Sequence, residues 1–493
     1  MNDQLQTKKD LIEDLIELKY LFRDYLNKLA QFNRDLNRSK GLINSANFNL
    51  INENTKSLFI NIEKNLISIV NLIKSGSSSK ILRINKYKFQ DILRTVAVLC
   101  SNLIVSTDWQ SPSYLHSISS KAGLQNGKIT GTINDYKRDV HLDSQSYEEM
   151  FLKENITARS KFFLKSYLVS SGMAAFQTIL TYLLSEKKIK GKILTGQNSY
   201  FQYKQILNGA FGTKIIETDE LSTDDIISLI RNEQISAIFL DSLCNSPQLP
   251  EPDLKKIMEF LYKSAGSEIY LIIDNTCLSV FFQPFLLRGR NHRVHLIQFE
   301  SLNKYNQFGL DRVTAGIIVC ENSDAGGIFE YRKHAGTNIT DGSAHVLPSP
   351  NRKLLEARLI RHQRNVRELS LFLSEKINSY KNTKVEKIIC PGNNANEAGN
   401  RKFYGSFMNI ALKNKFDRPE YMKKLMTKVL SEAKKNQVNI VAGTSFGLNT
   451  TRIYLTSLWN KSGKPFLRLS AGTEDILEVN LIKISIWEAI RKF

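Results

Sequence analysis

Apolar residues recur at alternating four- and three-residue steps from Leu11 through Leu15, Leu18, Phe22, Tyr25, Leu29 and Phe32 to Leu36. That spacing lays one stripe along a helix and predicts a heptad seam. A second apolar periodicity runs from about Leu58 to Ile73 and ends at Ser75-Gly76-Ser77-Ser78-Ser79, a composition that breaks helices and links flexibly. A third covers about Phe89 to Ile104. Together they predict a helical hairpin or small bundle over residues 1–105, packed against the rest of the subunit or its twin. Residues 106–135, with Ser, Gly, Asn and Thr throughout, read as loop.

Beyond that loop the pattern changes. Short aliphatic runs at Lys192–Leu194, Ala237–Leu240, Tyr270–Ile273, Val294–Phe299 and Gly316–Cys320 predict strands. Helical patterns at Ala174–Leu184, Thr223–Ile230 and Pro252–Ser264 lie between them. Apolar strands alternating with helices predict an α/β layer with a mainly parallel sheet. A long amphipathic helix over Arg352–Tyr380 follows, then strands at Val385–Ile389 and Phe407–Leu412 and helices at Pro419–Asn436 and Thr473–Arg491. The expected organisation is a helical N-terminal extension over 1–125, an α/β domain over 126–340 and a smaller α+β C-terminal domain over 341–493.

Composition narrows the function classes. With 42% hydrophobic and 24% charged residues the chain is ordinarily globular. No apolar run is long enough to span a bilayer, and Met1–Asp10 has no apolar signal core. The net charge of +20 is spread among Asn, Ile and Asp with no dense basic block. A generally basic protein without a nucleic-acid or membrane partner is therefore expected. Cys100, Cys244, Cys277, Cys320 and Cys390 form no CxxC pair, which points to reduced thiols and a cytoplasmic setting. The seven histidines show no metal-ligand spacing, so no metal is expected.

Three short segments carry candidate chemistry. Ser170-Ser171-Gly172-Met173-Ala174-Ala175 enters a helix, and a bare turn at a helix N-terminus offers backbone amides to a phosphate. Asp274 ends the apolar run before Asn275-Thr276, at the sheet edge where ligands bind. Lys304 stands just past Val294–Phe299, three residues after Ser301, where an amine and a hydroxyl serve Schiff-base chemistry and phosphate binding. Alone, each has an ordinary explanation as a cap or a surface lysine. Their order, phosphate turn then acid then lysine, is that of fold-type I pyridoxal-phosphate enzymes.

The chain resembles the Cys/Met-metabolism family of such enzymes, which includes cystathionine γ-synthase and methionine γ-lyase. Tyr136-Lys137-Arg138 is similar to its Tyr-x-Arg, which reaches a neighbouring subunit's phosphate, and Ser171-Gly172-Met173 to its phosphate turn. Tyr200 falls where the family stacks a tyrosine on the cofactor ring. Asp241-Ser242-Leu243-Cys244-Asn245 resembles Glu-Ser-Pro-x-Asn, so Asn245 falls where the family has an asparagine beside the cofactor oxygen. Asp274 corresponds to the partner of the ring nitrogen, Ser301 to a phosphate serine and Lys304 to the Schiff-base lysine, with Asp311 at the family's spacing beyond it. Ser445-Phe446-Gly447 resembles Ser-Leu-Gly, and Arg468, in Leu467-Arg468-Leu469-Ser470-Ala471-Gly472, the arginine that holds the substrate carboxylate.

The resemblance covers about residues 130–485. It departs at Asp139-Val140-His141 after Tyr-x-Arg, at Asn303 before the lysine, at the missing Gly-His beyond it and at Leu243-Cys244. It implies an aminotransferase-like large domain and pyridoxal 5'-phosphate as cofactor, in a homodimer or homotetramer with shared active sites. The N-terminal helices could dock a further protein partner. Lys304 and Tyr200 are the expected catalytic residues, and Ser445 with Arg468 the expected substrate contacts. The implied reaction is γ-replacement or γ-elimination on a homoserine-derived or sulfur amino acid, with Lys304 removing the Cα proton. β-Elimination, transamination and a non-catalytic scaffold are the alternatives.

Overall fold

The computed structural model describes residues 3–38, 40, 43–107, 138–139, 141–380, 382–392, 401–456 and 464–493. Three long helices come first: α1 (Asp3–Arg38), α2 (Ser45–Lys74) and α3 (Ser79–Val105). Every residue of the predicted seam is buried on α1. The second and third helices start earlier than their periodicities predict. Their first turns are largely exposed, so burial leaves little pattern there. At α2 the start is set instead by Asn44, whose side chain accepts from the Ala46 amide at 2.9 Å.

The α/β layer holds a seven-stranded sheet: β1 (Leu164–Val169), β2 (Lys192–Gly196), β3 (Ile215–Thr218), β4 (Ile235–Asp241), β5 (Ile269–Asp274), β6 (Val294–Ser301) and β7 (Gly316–Glu321). Their order is β1-β7-β6-β5-β4-β2-β3. Neighbours from β3 to β6 are parallel, and β7 runs antiparallel to both β6 and β1. The central strands are apolar on both faces because both faces are covered. Ile238, Leu240, Leu271 and Ile273 join one core, while Ala237, Phe239, Tyr270 and Ile272 join the opposite one. The expected mainly parallel sheet is present. Within this sheet two strands escape sequence reading, β1 and β3; they are its edges, where Lys165 and Glu217 face solvent and blur the apolar signal.

Around this sheet pack α4 (Leu142–Asn155), α5 (Gly172–Ser185), α6 (Phe201–Phe211), α7 (Thr223–Asn232), α8 (Leu254–Ser264), α9 (Asn322–His334) and α10 (Asp341–Val346). The smaller α+β part follows: α11 (Arg352–Ser379), β8 (Val385–Ile389), β9 (Phe407–Leu412), α12 (Pro419–Lys435), β10 (Val441–Ala442), β11 (Arg452–Thr456), β12 (Phe466–Ser470) and α13 (Ile476–Arg491). Its sheet has the order β10-β11-β12-β9-β8. Leu467 and Leu469 of β12 enter the core of this part. By strand alternation Arg468 between them faces the other way.

The N-terminal helices are wedged into the rest of the chain. Their seam forms one hydrophobic cluster with Tyr305, Phe308, Leu310 and Phe446. Polar contacts fix the seat. The fully buried Asp10 accepts from Arg364 at 2.7 Å and from the Ile476 amide at 3.1 Å. Arg83 grips Asp475 with two bonds of 2.7 and 2.8 Å. Tyr25 donates to the Val346 carbonyl at 2.6 Å.

One buried group ties stability to pH. Glu300 on β6 is 2% exposed and accepts from Ser279 at 2.6 Å and Asn306 at 2.7 Å. Burial pushes its carboxyl up to about 8, against those two hydrogen bonds. The folded chain therefore keeps a proton that the unfolded chain releases near 4.5. Its stabilising share is complete below that value and is lost as pH rises towards 8. Glu300→Gln should accordingly raise the melting temperature more at pH 8 than at pH 5. A difference that stays the same at the two pH values contradicts this.

Candidate active site

The carboxyl ends of β4, β5 and β6 deliver Asp241, Asp274 and Ser301 to one edge of the sheet, where the smaller sheet brings Arg468 over them. Between lies a cavity of about 540 Å³. Ser171, Gly172, Met173, Tyr200, Asn245, Asp274, Ser301, Lys304, Ser445 and Arg468 all line it. Segments some 300 residues apart in sequence thus converge as expected. Tyr136 lies outside the described residues. Arg138 is exposed, 3.5 Å from Asp139, and is not among the described residues that line the cavity. Asp311 meets Arg452 at 3.4 Å and also stays out of it.

At one end the N-terminus of α5 forms a bare cup. Ser171 caps it, its hydroxyl accepting from the Ala174 amide at 3.0 Å. A Cβ on Gly172 would stand 2.7 Å from the Ser301 Cβ, and one on Gly316 would stand 2.2 Å from the Ser171 carbonyl oxygen. Glycine at both positions lets β6 and β7 close on the turn, which leaves the helix amides aimed at an anion.

Asp274 accepts from the Thr276 amide at 2.9 Å, and among the described residues no cation forms an ion pair with it. Burial raises its carboxyl to about 6. Asp241, its partner in the β4–β5 register, is raised well above the carboxylate range by burial and by Asp274. Asp241 accepts from the Tyr200 amide at 3.0 Å and from the Tyr203 hydroxyl. It therefore anchors the backbone from which Tyr200 enters the cavity. Sequence reading quoted Asp241 but gave it no place in the site, although a second acid at the end of an adjoining apolar strand was the available signal. Burial, then Asp274, pushes the Tyr200 phenol up to about 12.

Two cations face these acids. Lys304 donates to the Ser445 hydroxyl at 3.1 Å, and its amine is lowered to about 8 by burial and then by Arg468. Arg468 is 4% exposed and donates to Asn245 Oδ1 at 3.0 Å and to the Ser445 carbonyl at 3.2 Å. Its Nε is buried without a hydrogen-bond partner, and no carboxylate pairs with it among the described residues. Phe446 lies under both cations, 5.4 Å from Lys304 Nζ and 5.6 Å from the guanidinium. Its part was missed because an aromatic in a loop carries no pattern.

Comparison with known proteins places this arrangement. The family model described as Cys/Met metabolism PLP-dependent enzyme matches residues 105–480. The chain belongs to this family. The match leaves α1 to α3 almost wholly outside it. The bifunctional enzyme flvA of Aspergillus flavus is 24% identical over 352 residues, which are 69% of this chain but only 41% of that protein. The cystathionine gamma-synthase/O-acetylhomoserine (thiol)-lyase of Bacillus subtilis is 26% identical over 57% of this chain and 68% of its own. The chain thus spans less than half of the Aspergillus relative. Among solved structures, cystathionine gamma synthase from Xanthomonas oryzae pv. oryzae has the same fold, with a TM-score of 0.58 and 16% identity over 79% of this chain and 93% of that one.

The family's cofactor, pyridoxal phosphate, fits the residues present. The glycine-lined cup suits its phosphate, and the buried Asp274 lacks the cation that a protonated ring nitrogen would supply. The lowered Lys304 amine suits its carbonyl. One consequence is testable without cofactor. Lys304 should acylate with a pH midpoint near 8, whereas an ordinary lysine follows 10.5. Arg468→Gln removes a neighbouring positive charge, so the midpoint should move upward. Mass-spectrometric labelling across pH reads both values, and a Lys304 midpoint near 10.5 contradicts the assignment.

Proposed function

We infer that the chain is a pyridoxal-phosphate-dependent enzyme that carries out γ-replacement or γ-elimination on a homoserine-derived or sulfur amino acid. One observation carries the reading: a buried arginine fork with no carboxylate partner among the described residues opens on the same cavity as a lysine whose amine is lowered to about 8. An amino acid supplies the missing carboxylate at Arg468, and its Cα then lies within reach of Lys304. The names of the Bacillus relative and of the rat cystathionine gamma-lyase, 27% identical over 45% of this chain, support γ-chemistry over β-chemistry.

Pyridoxal phosphate, when bound, withdraws electrons from the amino acid's Cα. The chain's own residues do the rest. Ser171, Gly172, Met173 and Ser301 hold the phosphate, and Asp274 keeps the ring nitrogen protonated. Tyr200 covers the ring and helps the γ-substituent depart. Arg468 binds the α-carboxylate through two parallel bonds, which fixes the Cα–H bond in the reactive orientation. Lys304, neutral near its lowered pKa, takes the Cα proton and returns it further along the chain of carbons. Ser445 holds the amine at rest. The active unit in this reading is a homodimer or homotetramer. Arg138, exposed and outside its own cavity, would serve a neighbour's phosphate together with Tyr136.

The test is incubation of the purified protein with O-acylated and O-phosphorylated homoserine, cystathionine and cysteine, with products read by mass spectrometry. Loss of a γ-substituent is expected, and amino-group transfer alone contradicts the reading. Removing one partner of a buried charge pair costs about 3–5 kcal/mol, roughly two to four decades in affinity. Arg468→Ala should therefore raise the amino-acid concentration needed for half-saturation by that range. Arg468→Lys should recover only part of it, because an ammonium lacks the planar fork. Unchanged affinity in Arg468→Ala would place the carboxylate elsewhere.

A further inference from the structure

The two loops that seat Lys304 are held in part from outside the family match, which covers residues 105–480. Ser445, which accepts from the Lys304 amine, has φ +76, and Phe308 and Asp311, just beyond the lysine, have φ +50 and +52. Non-glycine residues at positive φ are strained and persist only where neighbours over-determine them. Gly309 and Gly447 share that backbone region, at φ +79 and +76. A Cβ on Gly447 would stand 2.4 Å from the Tyr305 ring and 3.0 Å from the Lys304 carbonyl carbon. One on Gly309 would stand 2.0 Å from Asn449 Oδ1. The 304–311 and 445–449 loops therefore lean directly on each other.

What over-determines them comes from α1, α3 and α11. Arg358 of α11 is 4% exposed, and its guanidinium donates to Asn449 Oδ1 at 2.6 Å and to the Gly447 carbonyl at 3.3 Å. Its other end donates to Glu17 of α1 at 2.8 Å. From α3, Arg94 donates to the Gly309 carbonyl at 3.4 Å, and Arg312 donates back to the Arg94 carbonyl at 3.0 Å. Phe308 and Leu310 sit in the cluster built on the seam of α1. Glu17 is the carboxylate that pairs with the buried Arg358 charge, so it orients the fork that grips the 445–449 loop.

We propose that Glu17, through Arg358, is a positioning residue for the active site, fixing the loop whose Ser445 seats both the Lys304 amine and Arg468. The N-terminal helices thereby belong to the machinery of the site while contributing no group to its cavity. Glu13, one turn away, forms an ion pair with Arg361, which among the described residues bonds to neither loop and whose same terminal nitrogen also donates to the Asp10 carbonyl at 3.2 Å. It provides a control on the same helix, its side chain 47% exposed against 15% for Glu17.

This inference rests on the reading of the cavity as a pyridoxal-phosphate site, and its test separates the two. Full-length wild type, Glu17→Gln and Glu13→Gln are compared for pyridoxal phosphate affinity by equilibrium dialysis and for amide exchange by mass spectrometry. Glu17→Gln is expected to weaken cofactor affinity on the order of tenfold, the scale on which a remote contact modulates a site. It should also speed exchange in 304–311 and 445–449. Glu13→Gln should leave both near wild type even where melting temperature falls equally. Because Glu17 acts through Arg358, the Glu17→Gln/Arg358→Gln pair should bind cofactor no worse than Arg358→Gln alone. If the two α1 variants shift affinity and exchange alike, or the double variant is additive, the proposal is overturned. If wild type takes up no cofactor at all, the reading of the cavity itself fails.

Discussion

Burial of charge without an opposite charge in contact is the constraint on which this structure turns. Asp274, Lys304 and Arg468 all line one cavity, and burial is the largest influence on the pKa of each. Removing an unpaired charge from water costs several kcal/mol, so a chain that holds three such groups must fix them by other means. Backbone amides, hydroxyls and aromatic faces do this: Thr276 for Asp274, Ser445 for Lys304, and Asn245 with Phe446 for Arg468. Such an arrangement is stable enough to fold and leaves each charge ready for a ligand of opposite sign.

The fold supplies the geometry for that constraint. Parallel strands buried on both faces end together, so Asp241, Asp274 and Ser301 arrive at one edge without any loop having to be precise. Strand alternation in β12 sends Leu467 and Leu469 into one core and leaves Arg468 to face the cavity. The remaining elements, the two strained loops, come from connections that sheets cannot stiffen. There the N-terminal helices take over, with their seam packed on Phe308 and Leu310 and Glu17 paired with Arg358.

Much of the site was legible in the sequence because its chemistry sits at element boundaries. Ser171 at a helix start, Asp274 at a strand end and Lys304 just past a strand each leave a local mark in hydrophobic patterning. The resemblance then added Tyr200, Asn245, Ser445 and Arg468, and all four line the cavity. The large layer and the presence of a smaller α+β part were legible for the same reason, while the edge strands β1 and β3 and the strands β10 to β12 were not. Glu17 and Asp10 were illegible for a different reason. An acid on an amphipathic helix is normally solvated, and only tertiary packing turns it into the partner of a buried arginine 341 residues away for Glu17 and 351 for Asp10. The Asp241–Asp274 pairing likewise depends on strand register, which neither strand encodes alone.

The central claim is that Lys304 is the amine the cavity presents to a pyridoxal carbonyl. Borohydride reduction of the full-length protein with pyridoxal phosphate, followed by peptide mapping, tests it most directly. A single pyridoxyl adduct on Lys304, absent from Lys304→Ala, is the predicted result. An adduct on another lysine, or one that survives in Lys304→Ala, would contradict the account.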